Sequence, residues 1–173
     1  MLLISNDQFF VSGVRELIAE RIFYSSCDLM ILDASPFIYV FDSYWFFSQG
    51  FKEPFSALII CNDFLYIKGI DVGGFINAVN DNRKEAMSIP KSITVSEIKV
   101  LRYIFNGYKD KDIAKQFNCS KKTISSHKIK ALNKMRIKNT RVFYTLVNFW
   151  KTSWPILGHA DGKVRFYYND EGL

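Results

Sequence analysis

Three residues, Asn118-Cys119-Ser120, separate two short stretches that each read as an amphipathic helix. So tight a connection forces the two helices to pack against each other at a steep angle. In the first, Asp110 to Phe117, the residues Ile113, Ala114 and Phe117 point one way, and Ala114 is small where two helices would cross closely. In the second, Ser120 is positioned as an N-cap for a helix running to Met135. Ile124, His127, Ala131 and Met135 recur at spacings of three and four and so share its inward face. The other faces carry Lys121, Lys122, Lys128, Lys130 and Lys134, with Ser125 and Ser126 near the start.

Taken alone, 120–135 reads more readily as an ordinary lysine-rich surface helix. The residues upstream decide the matter. Thr94-Val95-Ser96-Glu97 is a capping box that opens a helix, with Ile98, Leu101 and Phe105 as its apolar stripe, joined by Val100 and Ile104. Asn106-Gly107 supplies its stop. A further helix over roughly 140–150 adds Val142, Phe143, Leu146, Val147 and Trp150. Two short helices joined by a three-residue turn, the second basic, make a helix-turn-helix, whose second helix suits the major groove of DNA.

Charge distribution agrees. Residues 1–90 hold 6 Lys and Arg against 11 Asp and Glu, residues 91–141 hold 14 against 3, and residues 142–173 hold 3 against 3. The formal +6 of the chain is therefore concentrated in one block, the electrostatic footprint of a nucleic-acid module. Cys27, Cys61 and Cys119 are far apart, with no metal-ligand spacing, so neither a disulfide framework nor a zinc site is expected. No run of 18 apolar residues and no basic-then-apolar leader occurs, so neither membrane association nor export is expected, and the expected compartment is a reducing cytoplasm. No nucleophile–base pair, phosphate-cradling glycine loop or metal cluster marks an enzyme, and no cofactor is expected.

The first half alternates buried strands with helices. Leu2-Leu3-Ile4 reads as a strand running into Ser5-Asn6-Asp7, and Phe9 to Glu20 as a helix burying Phe10, Val14, Leu17 and Ile18. Asp28 to Asp33 is a second strand, with Ala34-Ser35-Pro36 turning at its end. Residues 37–51 are crowded with aromatics, which suits core filling, a partner surface or a ligand pocket. Ala57 to Cys61 reads as a third strand and Phe64 to Ile67 as a fourth, followed by a helix over 72–80. These elements suggest a small α/β layer with a mostly parallel sheet. In such sheets functional residues gather at the strands' carboxyl ends, where Asp7, Asp33 and Lys68 fall.

The second half resembles the LuxR/FixJ/NarL family of helix-turn-helix domains. The pattern is carried by Ile93-Thr94, Glu97, Val100-Leu101, Gly107, Lys111-Asp112-Ile113-Ala114, Phe117, Ser120, Thr123-Ile124, His127, Lys134-Met135 and Arg141, over about 92–148 without a gap. Within it, Lys122 to Lys128 looks most like the RcsA and RcsB group of capsule regulators. That resemblance places Lys122, Thr123, Ser125, Ser126 and Lys128 on the DNA-facing side. Physically, Lys121, Lys122 and Lys128 suit phosphates, Thr123 a phosphate or the cap, and Ser125 and Ser126 base edges or phosphates. Ile129 stands where family members often carry Lys or Arg; it either packs on a thymine methyl or lies outside the contact. His127 is expected to pack or cap.

The first half resembles a receiver domain of bacterial response regulators: Asn6-Asp7 matches the acidic pair, Leu32 to Pro36 the strand with the phosphorylated aspartate, and Ile67-Lys68-Gly69 the strand with the invariant lysine. It departs from that pattern in that Asp33 follows Asp7 by only 26 positions, no helix lies between the third and fourth strand candidates, Cys61 is near a hydroxyl position, and asparagine stands for one acid. The resemblances imply a shortened receiver-like α/β domain over 1–80, a linker over 81–91, an all-α four-helix DNA-binding domain over 92–150, and a tail over 151–173 expected to form a hairpin around Asp161-Gly162. They imply a bacterial transcription regulator that binds promoter DNA as a homodimer or as the accessory partner of a response regulator. The alternative is a phosphorylation-gated regulator with Asp33 as phosphoacceptor; as the bland alternative, Asp7 and Asp33 are strand-end turn residues.

Overall fold

The structure, a computed structural model, describes residues 1–19, 29–69, 71–81, 93–157 and 165–167. It divides into two compact units, and the division does not follow the chain in simple halves: the segment Glu53–Asp63 groups with Met87–Ser153, and Trp154–Leu173 groups with the N-terminal residues.

The first unit is built on a five-stranded sheet of order β4-β3-β2-β1-β5. Its strands are β1 (Leu2–Ile4), β2 (Leu29–Ala34), β3 (Phe37–Asp42), β4 (Leu65–Ile67) and β5 (Arg165–Tyr167). β1 pairs in parallel with both β2 and β5, whereas β2–β3 and β3–β4 are antiparallel. The expected mostly parallel sheet is thus a mixed one. The reason is local: Ala34 pairs with Phe37, so only Ser35-Pro36, joined by a cis peptide, connect β2 to β3, and a two-residue connection permits only a hairpin. The short first half also finds its fifth strand far away, at Arg165–Tyr167.

Both faces of the sheet are covered, which is why β2 and β3 read as continuous apolar runs. Leu29, Ile31, Ile38 and Val40 pack with Leu3 against Val11 and Val14 of α1 (Gln8–Ala19) and against Phe75. The aromatics of 37–51 fill space on the chain that follows: Phe41 stacks on Phe46 at 5.3 Å, and Trp45 lies 4.9 Å from Phe64. Trp45 and Phe46 belong to α2 (Ser43–Ser48), whose N-cap Asp42 accepts from the Trp45 amide. Phe46 also meets Phe51, so most of this cluster is core, although Tyr44 is exposed.

The second unit corrects a second expectation. Ala57 to Cys61 is not a strand; it lies in and just beyond α3 (Pro54–Ile60), which continues into a 3-10 turn over Cys61–Phe64. A short apolar run has no periodicity to separate strand from helix, and the usable signal was Pro54, which sits at the start of the helix, where its missing N–H costs nothing. α3 buries Phe55, Ala57, Leu58 and Ile59, and Phe55 meets Phe105 edge-on at 5.4 Å. Cys61 is buried, and burial pushes its thiol well above the ordinary value, which keeps it neutral.

After α4 (Val72–Asp81) of the first unit, the chain forms α5 (Val95–Phe105), α6 (Asp110–Gln116), α7 (Lys121–Lys134) and α8 (Thr140–Leu157). α8 is longer than 140–150 because its buried stripe continues past Phe143, Leu146, Val147 and Trp150 to Ser153 and Leu157. Pro155 falls in its last turn, where it removes only one hydrogen bond. Trp154 to Leu157, part of the tail expected to form a hairpin, is therefore helix. Of the linker expected over 81–91, Asp81 ends α4, and 82–91 lie outside the described residues, as do the expected turn at Asp161-Gly162 and Cys27. Among the described residues, no helix is long and apolar enough to cross a membrane.

Candidate nucleic-acid interface

α7 is placed by capping at both ends and by its apolar face. The Thr94 hydroxyl accepts from the Glu97 amide while the Glu97 carboxylate accepts from the Thr94 amide, so the capping box of α5 is complete. The same carboxylate, almost wholly buried, takes two hydrogen bonds from Lys134 Nζ at 2.8 and 3.0 Å, which ties α5 to the last turn of α7. Burial alone would raise the Glu97 carboxyl, but the bonds from Lys134 and Thr94 outweigh it and hold it below its ordinary 4.5. Asn106 closes α5 and Gly107 follows at φ +88, a conformation that favours glycine. Asn118 takes a positive φ in the turn after α6, and Ser120 then caps α7 by accepting from the Thr123 amide at 3.1 Å. At the far end, Asn62 Nδ2 donates to the Met135 carbonyl at 2.7 Å, so a residue of the inserted segment satisfies the closing turn of α7.

Ile124, Ala131, Leu132 and Met135 are buried, and His127 is half-buried on the same side. Lys121, Lys122, Thr123, Ser126 and Ile129 are exposed, and Ser125 is half-buried. Lys128 is placed differently from the other lysines. Its Nζ lies 2.7 Å from Asp110 Oδ2, and only 14% of its side chain is exposed. Asp110 stands in the first turn of α6, where a carboxylate also interacts well with the helix dipole. Lys128 therefore locks α7 to α6. Sequence reasoning missed this pair, the Glu97–Lys134 pair and the roles of Phe55 and Asn62. The first two had a weak signal, since an acid stood near each helix start; the last two had none, because they depend on a segment far away in sequence.

The strand-end residues of the first unit also converge. Lys68 Nζ donates to Asp7 Oδ2 at 2.8 Å, to Asp33 Oδ2 at 2.7 Å and to the Ser35 hydroxyl at 3.2 Å, and it lies 4.7 Å from the centre of the Phe10 ring. Asp33 Oδ2 also accepts from Ser5 Oγ at 2.5 Å, and its Oδ1 accepts from the Ser35 amide and hydroxyl. Both oxygens of Asp33 are thus engaged, and its side chain is 4% exposed. Asp7 is more open and caps α1 through the Phe10 amide. The Lys68 bond, then the Phe10 amide, hold the Asp7 carboxyl below its ordinary value. Burial pulls the Lys68 ammonium down, but its bonds to Asp33 and Asp7 prevail and set it above 10.5. Among the described residues, no group of three or more His, Cys, Asp or Glu side chains could hold a metal ion.

The second unit is thus a helix-turn-helix in which α6 and α7 are held across a short turn and the start of α7 faces outward with two lysines. Residues 91–147 match the family of bacterial regulatory proteins of the luxR type (GerE), a family of regulators rather than enzymes. The chain is also similar to the DNA-binding transcriptional activator EvgA of Escherichia coli K12, and to that of Shigella flexneri, at 31% identity over 71 residues in each case. Those residues are 41% of this chain and 33% of the relatives, so the chain matches about a third of the length of the curated proteins it resembles. No solved structure matches it.

Proposed function

We propose that the protein is a sequence-specific DNA-binding transcription regulator of the cytoplasm that works as a dimer, either with itself or as the accessory partner of a response regulator, without phosphorylation of its own first unit. The observation that carries the DNA-binding reading is the capped, basic start of α7, exposed at Lys121, Lys122, Thr123 and Ser126 on a helix whose other side is locked into α5 and α6. The likeness to a DNA-binding activator and to luxR-type regulators supports it. In this reading Lys121 and Lys122 neutralise phosphates, Thr123 supports the cap beside a phosphate, Ser125 and Ser126 reach the groove, and Lys128 positions α7 through Asp110. Titrating promoter fragments at several salt concentrations tests it. Salt-dependent binding that is lost in Lys121→Ala/Lys122→Ala supports the reading, and binding that is absent or unchanged in that variant refutes it.

The convergence of Asp7, Asp33 and Lys68 favours a second reading, a receiver-like site with Asp33 as phosphoacceptor. Against it stands the engagement of both Asp33 oxygens, by Ser5, Lys68 and Ser35. Phosphoryl transfer needs a free carboxylate oxygen beside a divalent cation, and here an ammonium group bridges the two carboxylates. The first unit in the leading reading is a degenerate receiver that resembles that of the RcsA-like group. Incubation with acetyl phosphate and Mg2+ distinguishes the two readings, since an acid-labile phosphate on Asp33 establishes the second.

A further inference from the structure

We propose that Ile129 reads the C5-methyl group of a thymine in the major groove, so that an apolar contact rather than a cation sets base preference in the third turn of α7. The inference rests on the DNA-binding function proposed above and specifies what that surface selects. Lys122, Ser126, Ile129 and Asn133 recur at intervals of four, three and four, and all four are exposed; they form the outward row of α7, opposite buried Ile124 and Ala131. Ile129 is 52% exposed in the middle of this otherwise polar row. None of the described packing of the unit uses that surface, since the inward side of α7 is already supplied by Ile124, Ala131, Leu132 and Met135.

The neighbouring residue explains why an apolar group can dominate there. Lys128, one of the two lysines adjacent to Ile129 in sequence, is turned away into its pair with Asp110 and does not compete for the same base pairs. Lys130 lies on the flank of the row, in position for a phosphate. In the major groove the four base pairs differ in their donors and acceptors, and the single apolar landmark is the thymine methyl. An isoleucine has no hydrogen bond to offer and would leave the donors and acceptors of a G·C pair without partners. The groove therefore selects for Ile129 only where a methyl group meets it. Ser126, one turn earlier on the row, adapts to any base and carries little code of its own.

The test uses the full chain and a random-sequence duplex pool. Bound sequences are selected and aligned, and each thymine of the resulting site is replaced singly by deoxyuridine, which lacks only the methyl. Loss of one buried methyl predicts binding roughly four-fold weaker at one position. In Ile129→Ala, a change at an exposed position that leaves the packing of α7 intact, thymine and uracil at that position should bind equally. The inference is overturned if the unaltered protein tolerates uracil everywhere, or if discrimination persists in Ile129→Ala. A protein that binds no duplex DNA refutes the proposed function itself, whereas binding without methyl discrimination refutes the Ile129 assignment alone.

Discussion

Phe55 lies 36 residues before the first residue of the luxR-type match, yet the structure places it inside the same unit. Replacing it by alanine tests that placement directly. Its side chain is 1% exposed, it meets the Phe105 ring at 5.4 Å, and the Arg102 guanidinium lies 4.6 Å from its ring centre. Arg102 is itself held by an ion pair with Glu53. Emptying a buried phenylalanine site costs about 3–5 kcal/mol, of which an aromatic pair accounts for roughly 0.5–1.5 kcal/mol. Against a typical domain stability of about 5–15 kcal/mol, that loss is a large share. Phe55→Ala should therefore lower amide protection in α5 and α7 by two or more orders of magnitude. The check is hydrogen exchange of the full chain, read by mass spectrometry on peptides from Val95–Phe105 and Lys121–Lys134. Protection unchanged in both helices, with any loss confined to α1 and the sheet, would show that α3 belongs to the first unit and refute the argument.

Other outcomes follow from the same side chains. Lys121→Ala/Lys122→Ala should flatten the dependence of log affinity on log salt by about 1.8, near 0.9 for each phosphate that is no longer neutralised, measured by fluorescence anisotropy. Asp110→Asn should weaken DNA binding less than that double change and lower the stability of the second unit, because it leaves Lys128 without its carboxylate; urea titration measures it. Lys68→Met should destabilise the first unit by about 3–5 kcal/mol in urea titration, since it strands the buried Asp33 carboxylate, and Lys68→Met/Asp33→Asn should recover part of the loss. The pH profile has two limbs. Glu97 and Asp7 lie below their ordinary 4.5 and 3.8, so their contributions hold above those values and vanish as pH falls through the folded-state values. Lys68 lies above 10.5, so its contribution is full below that value and is lost as pH rises through its own. Thermal melts from strongly acidic to strongly alkaline buffer should show both limbs, and Glu97→Gln should diminish the acid one.

The helix-turn-helix was legible because its signals are local. A cap, a stop residue and a repeat of three and four lie within a turn or two of one another, so Thr94, Gly107 and Ser120 fixed the helix limits without any knowledge of packing. The buried strands β1 and β2 and the helices α1 and α4 were readable for the same reason. Three features depended on the tertiary structure. Ala57 to Cys61 had the composition of a strand, and beyond the hint of Pro54 at the helix start it is the hydrophobic surface offered by Phe105 and its neighbours that makes helix the better use of it. The strand that completes the sheet comes from Arg165–Tyr167, and no local pattern can tell a chain where a partner edge about 160 residues away will be. Lys128 carried the same formal charge in the sequence as Lys121 and Lys122. Which lysine meets Asp110 and which meets solvent is set by the crossing of α6 and α7, because an ion pair is decided by distance and burial and not by the order of residues.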